Sequence, residues 1–244
     1  MTAHTVPVMS PSSLIAIFSK APACGSVKTR LAADIGADRT LELARAMLSQ
    51  TIANASETGL DLRLHLAVPT SGFDELTPVG ISRILDELTP VGISRISVVQ
   101  QRQPTIAAEV ANGVRFGLEH GYERVVVLPG DAPTVDSTLQ LEVVQLLDRH
   151  DVVLSPSPDG GFACLGVREP LPSLFARLDL SAINACERIV DMYKCRARNV
   201  GFVSSRIDID DAQSLHAALV AGQIDKASPL GLLCSRIDQQ ATVE

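Results

Sequence analysis

Short, uninterrupted apolar runs alternate along this chain with longer segments in which apolar residues recur every three or four positions. The clearest runs are 14–18 (LIAIF) and 124–128 (RVVVL), and the clearest helical segment is 38–55. A short run of this kind is typical of a strand buried on both faces, and strands alternating with helices favour a mostly parallel sheet. Because 46% of the residues are hydrophobic but only 3% are aromatic, Val, Ile, Leu and Ala must build the core.

The predicted elements follow one another in a regular strand and helix order. Strands are predicted at 14–18, 62–68, 96–100, 124–128, 151–155, 162–167 and 206–209. Helices are predicted at 38–55, 105–120, 137–149, 181–193 and 211–220. In an open α/β sheet, ligands bind at the carboxyl ends of the strands. Residues that directly follow a strand are therefore the first candidates for a functional site.

The length of 244 residues is compatible with one large α/β domain. We predict an N-terminal tail over 1–13, one domain over 14–222, and a C-terminal tail over 223–244 with no assigned element. Within the domain, the sequence of 74–84 recurs unchanged as 86–96. Two copies are too few for a repeat architecture, so we interpret them as an insertion in a surface loop. The alternatives are an error of sequence assembly and a functional lid.

Charge and cysteine content exclude several classes of function. The net charge is −7 and the pI about 5.2, so neither nucleic acid nor an anionic membrane attracts the whole chain. The apolar stretches are too short to span a bilayer, and 1–13 lacks the pattern of a secretory signal. The five cysteines are scattered without a C-x-x-C pair, which favours neither disulfides nor zinc. A cytoplasmic protein is expected.

A basic loop follows the first predicted strand. It contains Lys20, Lys28 and Arg30, with Gly25 between them. Lysine offers a point charge and arginine a planar fork, while glycine lets the backbone approach a ligand closely, so the loop suits a polyphosphate. The loop lacks the P-loop pattern G-x-x-x-x-G-K-[ST]. From composition alone, a solvated surface loop is the alternative.

Carboxylates follow two other predicted strands. Asp131 comes after the run 124–128, and Asp208 and Asp210 alternate with isoleucines in a later strand. If these strands are neighbours, Asp131 and one of the pair could hold Mg²⁺, which binds carboxylate and phosphate oxygens. The alternatives are that Asp131 caps a turn or helix, and that Asp210 or Asp211 caps the next helix.

Asp159, Gly160 and Gly161 form a predicted tight turn that leads into a strand. Asp and Gly are common in turns because they tolerate positive φ. A second interpretation is that this turn contacts an acceptor substrate. The residues leave both interpretations open.

Four motifs together carry a resemblance to known proteins. They are K-x-P-x-x-G-x-x-K-T-R-L at 20–31, G-D-A-P at 130–133, S-P-x-x-D-G-G-F at 155–162 and D-I-D-D at 208–211. The chain resembles the bacterial radical-SAM/selenodomain-associated glycosyltransferases of the nucleotide-diphospho-sugar transferase superfamily. Its K-T-R-L loop is also similar to that of the 2-phospholactate guanylyltransferases. The selenodomain-associated family usually carries Trp-x-Thr after the D-G-G strand, whereas this chain has no Trp.

The resemblance implies a Rossmann-like glycosyltransferase-A or nucleotidyltransferase fold with a mostly parallel central sheet flanked by helices. It places a nucleotide on the basic loop, at Lys20, Gly25, Lys28, Thr29 and Arg30. It also implies a metal at Asp131, with Asp210 as the second ligand and Asp208 as the other candidate. Glycosyltransferases of this fold often use Asp-x-Asp, whereas this chain has the lone Asp131 before Ala-Pro, which is more similar to the nucleotidyltransferases.

The leading hypothesis is therefore a Mg²⁺-dependent (or Mn²⁺-dependent) nucleotidyltransferase. A small phosphorylated or hydroxyl acceptor would attack the α-phosphate of a nucleoside triphosphate, with Lys20, Lys28, Arg30 and Asp131 as catalytic residues. Glycosyl transfer from a nucleotide sugar is the first alternative. A nucleotide-binding protein without turnover is the second, since a fold does not fix a function.

Overall fold

A computed structural model describes residues 13–22, 28–67 and 96–241 of the chain. The strands are β1 (Ser13–Lys20), β2 (Asp61–Ala67), β3 (Ile96–Gln100), β4 (Arg124–Pro129), β5 (Val152–Pro156), β6 (Phe162–Val167) and β7 (Val200–Phe202). The helices are α1 (Thr29–Ile35), α2 (Ala37–Glu57), α3 (Ile106–Glu119), α4 (Ser137–Leu146), α5 (Ala185–Lys194), α6 (Ala212–Val220) and α7 (Pro229–Ala241), with a 3₁₀ turn at Phe175–Arg177.

The described strands form one sheet in the order β3-β2-β1-β4-β6-β5-β7. All neighbouring strands are parallel except at β6, which runs antiparallel to β4 and β5. This confirms the predicted α/β fold with a mostly parallel sheet. The chain order reverses between β1 and β4, because β2 and β3 lie on one side of β1 and the later strands on the other. A crevice at such a switch point is where open sheets bind ligands.

The strands at the centre of the sheet are buried on both faces, as their apolar runs predicted. In β1, residues 13–18 are all buried, and only the last two residues gain exposure. One hydrophobic cluster joins the sheet to α2 and α4, and a second joins the opposite face to α3 and α5. The sheet therefore forms the middle layer of three.

A third cluster lies beside the sheet and connects α1, α2, α6 and α7. It contains Leu31 of α1, Leu215 of α6 and the α7 residues Leu233 and Ile237. Residues after 222, which the sequence left without an element, thus include a helix with a buried face. That prediction was wrong, because the apolar residues of α7 recur at helical spacing and cover α1 and α6.

A second sequence-based expectation was also wrong. Residues 206–209 are all described, but they form no strand, and the last strand is β7 at Val200–Phe202. The Arg206 amide donates one hydrogen bond to the Pro156 oxygen at 3.0 Å, after which the segment leaves the sheet. The alternation of Ile207 and Ile209 reflects a different constraint, because buried Ile209 belongs to the third cluster.

Three features of the sequence lie outside the described residues. They are the tail before Ser13, Gly25 in the basic loop, and the duplicated segment up to residue 95.

Candidate active site

Lys28 is the residue on which the candidate site is centred. It directly precedes α1 in the left-handed conformation, with φ 47° and ψ 56°, which is uncommon for a residue other than glycine. Its side chain is only 7% exposed. The Nζ atom lies 2.5 Å from Oδ2 of Asp131, 2.7 Å from Oδ1 of Asp210 and 3.6 Å from Oδ1 of Asp208. One buried ammonium group therefore lies among three carboxylates.

Asp131 is positioned by a close contact between β1 and β4. The Gly130 amide donates a hydrogen bond to the Phe18 oxygen at 2.8 Å, which joins the two strands at their carboxyl ends. A Cβ atom on Gly130 would lie 2.4 Å from Cβ of Ser19, so only glycine fits here. The following aspartate is thereby fixed at the switch point of the sheet, as the sequence predicted.

Asp208 and Asp210 lie on the segment that leaves the sheet after β7. Arg206 Nε donates to the Thr134 oxygen at 2.8 Å, and Thr134 Oγ1 donates to the Ile207 oxygen at 3.0 Å. These bonds bind the segment to the loop that follows Asp131. The Asp210 amide then donates to Ser214 Oγ at 2.9 Å.

The neighbouring residues Asp210 and Asp211 have different structural roles. Asp211 is the N-cap of α6, where its carboxylate accepts a hydrogen bond from the Ser214 amide at 2.7 Å. Asp210 is left to contact Lys28. Of the two cap alternatives for this pair, the structure assigns the helix cap to Asp211. For α4 the cap is Asp136, not Asp131.

The charges of this cluster are strongly coupled. Burial alone lowers the pKa of Lys28. The carboxylates of Asp131, Asp208 and Asp210 together raise this pKa by a larger amount, so it lies well above its ordinary value. Burial and the neighbouring charges of Asp131, Asp210 and Asp159 raise the pKa of Asp208 to about 6, against the opposing effect of Lys28. The cluster carries more negative than positive charge, and Lys28 stays protonated.

The three carboxylates also suit a divalent cation. One oxygen from each of Asp131, Asp208 and Asp210 lies within 4.8 Å of the other two, and all three side chains are partly exposed. The Lys28 ammonium already serves as a cation between them. Carboxylate oxygens are the donors that Mg²⁺ and Mn²⁺ prefer. The residues therefore fit the metal that the sequence predicted.

A cavity of about 700 Å³ opens beside this cluster. Its charged lining residues are Lys20, Lys28, Arg30, Asp131 and Asp210, with Thr29 at the start of α1. Its uncharged lining residues include Gln101, Gln103, Pro104, Thr105 and Ile106, which come from the loop between β3 and α3 and from the start of α3 and are called the uncharged wall. The structure thus brings the described members of the basic loop and two predicted metal ligands to one cavity.

The predicted turn at Asp159–Gly161 has a clear structural function. Gly160 has φ +89°, and a Cβ atom there would lie 1.6 Å from the Ile183 oxygen. The Gly161 amide donates to Oδ1 of Asp159 at 3.0 Å, and the Cys186 amide donates to the Gly160 oxygen at 3.1 Å. Of the residues the structure describes, this turn contributes none to the cavity lining, whereas the nearby Ser181 does. The role in acceptor binding stays a prediction.

The uncharged wall of the cavity could not be read from the sequence. Gln101, Gln103 and Thr105 belong to no motif, and only the position of Thr105 could be inferred, as the first residue of the helix predicted over 105–120. Thr105 is indeed the N-cap of α3, accepting a hydrogen bond from the Ala108 amide at 3.1 Å. The left-handed conformation of Lys28 had no sequence signal either.

A family model described as "Uncharacterized protein conserved in bacteria (DUF2064)" matches residues 82–182. No curated protein matches the chain. A solved structure called "putative nucleotide-diphospho-sugar transferase", from Desulfovibrio desulfuricans G20, is 20% identical with a TM-score of 0.83, covering 96% of this chain and 98% of that one.

Two further similar structures are named as a synthase and a cytidylyltransferase. The 4-diphosphocytidyl-2C-methyl-D-erythritol synthase of Anaerococcus prevotii DSM 20548 is 13% identical with a TM-score of 0.54, covering 87% of this chain and all of that one. A cytidylyltransferase from Leptospira borgpetersenii is 13% identical with a TM-score of 0.51, covering 96% and 97%. At these identities the likeness establishes the fold, which is the glycosyltransferase-A or nucleotidyltransferase type predicted. The radical-SAM association stays a prediction.

Among the described helices, none combines the length and the apolar character that crossing a membrane requires.

Proposed function

We propose that this protein is a Mg²⁺-dependent nucleotidyltransferase, with Mn²⁺ as an alternative metal. The observation that carries the proposal is the cluster in which Lys28 lies among Asp131, Asp208 and Asp210 at the switch point of the sheet, beside a cavity with a basic rim. Polyphosphate chemistry needs both cations and metal-binding carboxylates at one place. The similar structures named as transferases support the same class.

In this proposal the basic loop grips the polyphosphate. Lys20, Lys28 and Arg30 supply positive charge, and Thr29 with the backbone of Gly25 supplies hydrogen bonds. Asp131, Asp208 and Asp210 hold the divalent cation, which when bound neutralises charge on the phosphate oxygens. The Lys28 ammonium and a divalent cation compete for the same space, so Lys28 is free to contact phosphate only when its carboxylates are otherwise neutralised.

The reaction forms one bond and breaks one. An oxygen of the acceptor bonds to the α-phosphorus of a nucleoside triphosphate, and the bond from that phosphorus to the bridging α,β-oxygen breaks. A hydroxyl acceptor releases its proton to solvent in this step, whereas an ionised phosphate acceptor has none to lose. Pyrophosphate leaves with the electron pair of that bond, and Lys20, Lys28 and Arg30 stabilise its charge. No covalent intermediate with the protein is required.

The cavity suggests how the two halves of a nucleotide would lie. The basic lining residues suit the phosphates, so the nucleoside would contact the uncharged lining residues Gln101, Gln103 and Thr105. The acceptor would approach from the side of Ser181 and the Asp159–Gly161 turn. The proposed reaction uses soluble substrates and a reduced protein, in keeping with a cytoplasmic location.

Glycosyl transfer is the second candidate, because the similar structure with a TM-score of 0.83 is named for nucleotide-diphospho-sugars. The same cations would then stabilise a departing nucleoside diphosphate. The lone Asp131 in place of Asp-x-Asp favours nucleotidyl transfer.

The test separates these reactions by their products. The purified protein is incubated with Mg²⁺, small phosphorylated and hydroxyl acceptors, and either nucleoside triphosphates or nucleotide sugars. Pyrophosphate release supports the proposal, and nucleoside diphosphate release supports the second candidate. Nucleotide binding without either product, equal in wild type and Asp131→Asn, would indicate a protein that binds without turnover.

A further inference from the structure

A buried acid holds the uncharged wall of the cavity in place. Glu109, on α3, is only 3% exposed. Its Oε2 accepts hydrogen bonds from the backbone amides of Arg102 and Gln103, each at 3.0 Å. Its Oε1 lies 3.1 Å from Nδ1 of His65 on β2. One carboxylate therefore connects a helix, a strand and the loop between β3 and α3.

The partner histidine is itself fixed by packing. His65 is 2% exposed, and its ring stacks on Phe18 of β1 with 4.3 Å between the centroids. Gly113 of α3 lies against the same pair, since a Cβ there would lie 2.7 Å from Phe18 and 3.0 Å from His65. Glu109 is thus held against the central strands with little room to move.

The start of the loop is tied to the same strands by a second side chain. Nε2 of Gln101 donates to the His65 oxygen at 2.9 Å and lies 3.2 Å from the Ser19 oxygen, at the ends of β2 and β1. Residues 101–105 therefore have anchors at the first residue, at the two amides bound by Glu109, and at the cap Thr105. The wall is organised before a ligand arrives, which lowers the entropy lost on binding.

The protonation of the pair follows from its contacts. Burial alone raises the pKa of Glu109. The Arg102 and Gln103 amides and His65 together lower this pKa by a larger amount, so the net shift is downward. Because an ionised carboxylate only accepts, Nδ1 of His65 carries the proton in this contact. A buried leucine could fill the space of Glu109 but could not accept the two amide hydrogens.

Glu109 does not line the cavity beside Lys28 and its side chain is only 4% exposed, so any influence on that cavity passes through the loop. We propose that Glu109 is a positioning residue that fixes the 101–105 wall for the nucleoside part of the substrate. This inference rests on the proposed use of a nucleotide. It adds a residue that recognises neither phosphate nor metal.

The test compares each of ATP, CTP, GTP and UTP with inorganic tripolyphosphate, with Mg²⁺ present, by isothermal titration calorimetry. The ratio of the two affinities isolates the contribution of the nucleoside. For the best-bound nucleotide, Glu109→Ala should lower this ratio about tenfold, because the amides of the wall lose their acceptor. Affinity for tripolyphosphate should change by less than about twofold, since the hydrogen bonds of Glu109 go to His65 and to the amides of Arg102 and Gln103 and not to the basic residues of the cavity.

Two further variants distinguish positioning from a general loss of stability. Glu109→Gln should restore the wild-type ratio, because its oxygen can accept both amide hydrogens while its amide donates to Nδ1 of the other His65 tautomer. Tyr122→Phe is the control, because it removes a 2.8 Å hydrogen bond to Asp61 at the opposite strand ends and should leave the ratio unchanged. If Glu109→Ala does not fold, Glu109→Asp, whose shorter side chain cannot reach both partners, replaces it.

Two results with Glu109→Ala would overturn the inference while leaving the proposed function intact. One is an unchanged ratio in Glu109→Ala, and the other is an equal loss of nucleotide and tripolyphosphate affinity. A wild-type protein that binds no nucleoside triphosphate more tightly than tripolyphosphate would also overturn it. The proposed function itself is contradicted by a different result, the absence of pyrophosphate release from every nucleoside triphosphate tested.

Discussion

The two clusters of charged residues near the cavity differ in balance and in exposure. The Lys28 cluster has three carboxylates for one ammonium group, and its acidic side chains are between 33% and 41% exposed. The His65–Glu109 pair is almost fully buried, and its two carboxylate oxygens are occupied by fixed donors. An unbalanced, accessible cluster can exchange partners with a ligand, whereas a buried pair whose carboxylate oxygens already have donors cannot, even though Nε2 of His65 has no hydrogen-bond partner among the described residues. We therefore expect the first cluster to bind ligand and the second to position the cavity wall.

The largest effect is expected from removing the ammonium group. In Lys28→Met, turnover of a nucleotide substrate should fall about 100- to 1,000-fold, because the developing phosphate charge loses a preorganised cation. Binding of Mn²⁺ without nucleotide should become tighter in the same variant, because the space between the carboxylates is vacated. Steady-state kinetics and a Mn²⁺ titration followed by electron paramagnetic resonance measure the two effects. Weaker Mn²⁺ binding would show that Lys28 organises the carboxylates instead of competing for them.

The second prediction concerns helix α7, which packs against α1, the helix that begins directly after Lys28. Leu233→Ala in α7 should lower the free energy of unfolding by about 2–4 kcal/mol, since this residue packs in the cluster that contains Leu31 and Ile35 of α1. The affinity for tripolyphosphate should also fall in this variant. The ratio of nucleotide affinity to tripolyphosphate affinity should stay unchanged. Leu232→Ala is the matched control, because Leu232 is 57% exposed and should change stability by less than about 0.5 kcal/mol. Urea unfolding curves would decide the point, and equal effects of the two variants would contradict the docking of α7.

The burial of His65 beside Glu109 should make the free energy of unfolding depend on pH. Burial lowers the pKa of His65, against the opposing effect of Glu109, so the folded state keeps this histidine neutral where the unfolded chain already binds a proton. Stability from this residue is therefore complete above its ordinary pKa of about 6.5 and is lost as the pH falls, by at most about 1.4 kcal/mol per pH unit. The stability difference between wild type and His65→Gln should narrow between pH 7 and pH 5. A constant difference in urea unfolding would mean that His65 titrates normally.

The smallest effect is expected at an exposed basic residue of the cavity. Arg30 is exposed and borders the cavity, so Arg30→Ala should raise the KM for nucleotide only about two- to fivefold, with a smaller effect in high salt. Arg39→Ala on α2 is the control, because it removes the same exposed charge away from the cavity. A larger change than that of Lys28→Met would reverse the proposed order of the two residues.

Much of the fold could be predicted from the sequence, because buried parallel strands leave short apolar runs that few other structures produce. The carboxylates could also be predicted, since Asp131 directly follows such a run and Asp208 and Asp210 share one face of an extended segment. The strand at 206–209 was wrong because alternation records which side chains are buried, not which backbone they pair with. Ile209 is buried by helices of the third cluster.

The buried pair and the cavity wall could not be predicted from the sequence for a different reason. His65, Gln101 and Glu109 come from a strand, a loop and a helix, and nothing in their spacing shows that they meet. Helix α7 had a readable pattern in Leu230, Leu233 and Ile237, but Pro229 and Gly231 at its start obscured it. The buried pair and the cavity wall depend on tertiary contacts between distant residues, which local sequence preferences do not indicate.

The contact between Lys28 and Asp210 joins positions 182 residues apart in the chain. During synthesis the carboxylate cluster therefore stays incomplete until nearly the whole sheet has emerged from the ribosome. Until then the nascent chain lacks two of the three carboxylates that we propose as metal ligands. A fragment that ends before residue 208 keeps Lys20, Lys28 and Arg30 but lacks Asp208 and Asp210, so we expect it to show no metal-dependent turnover.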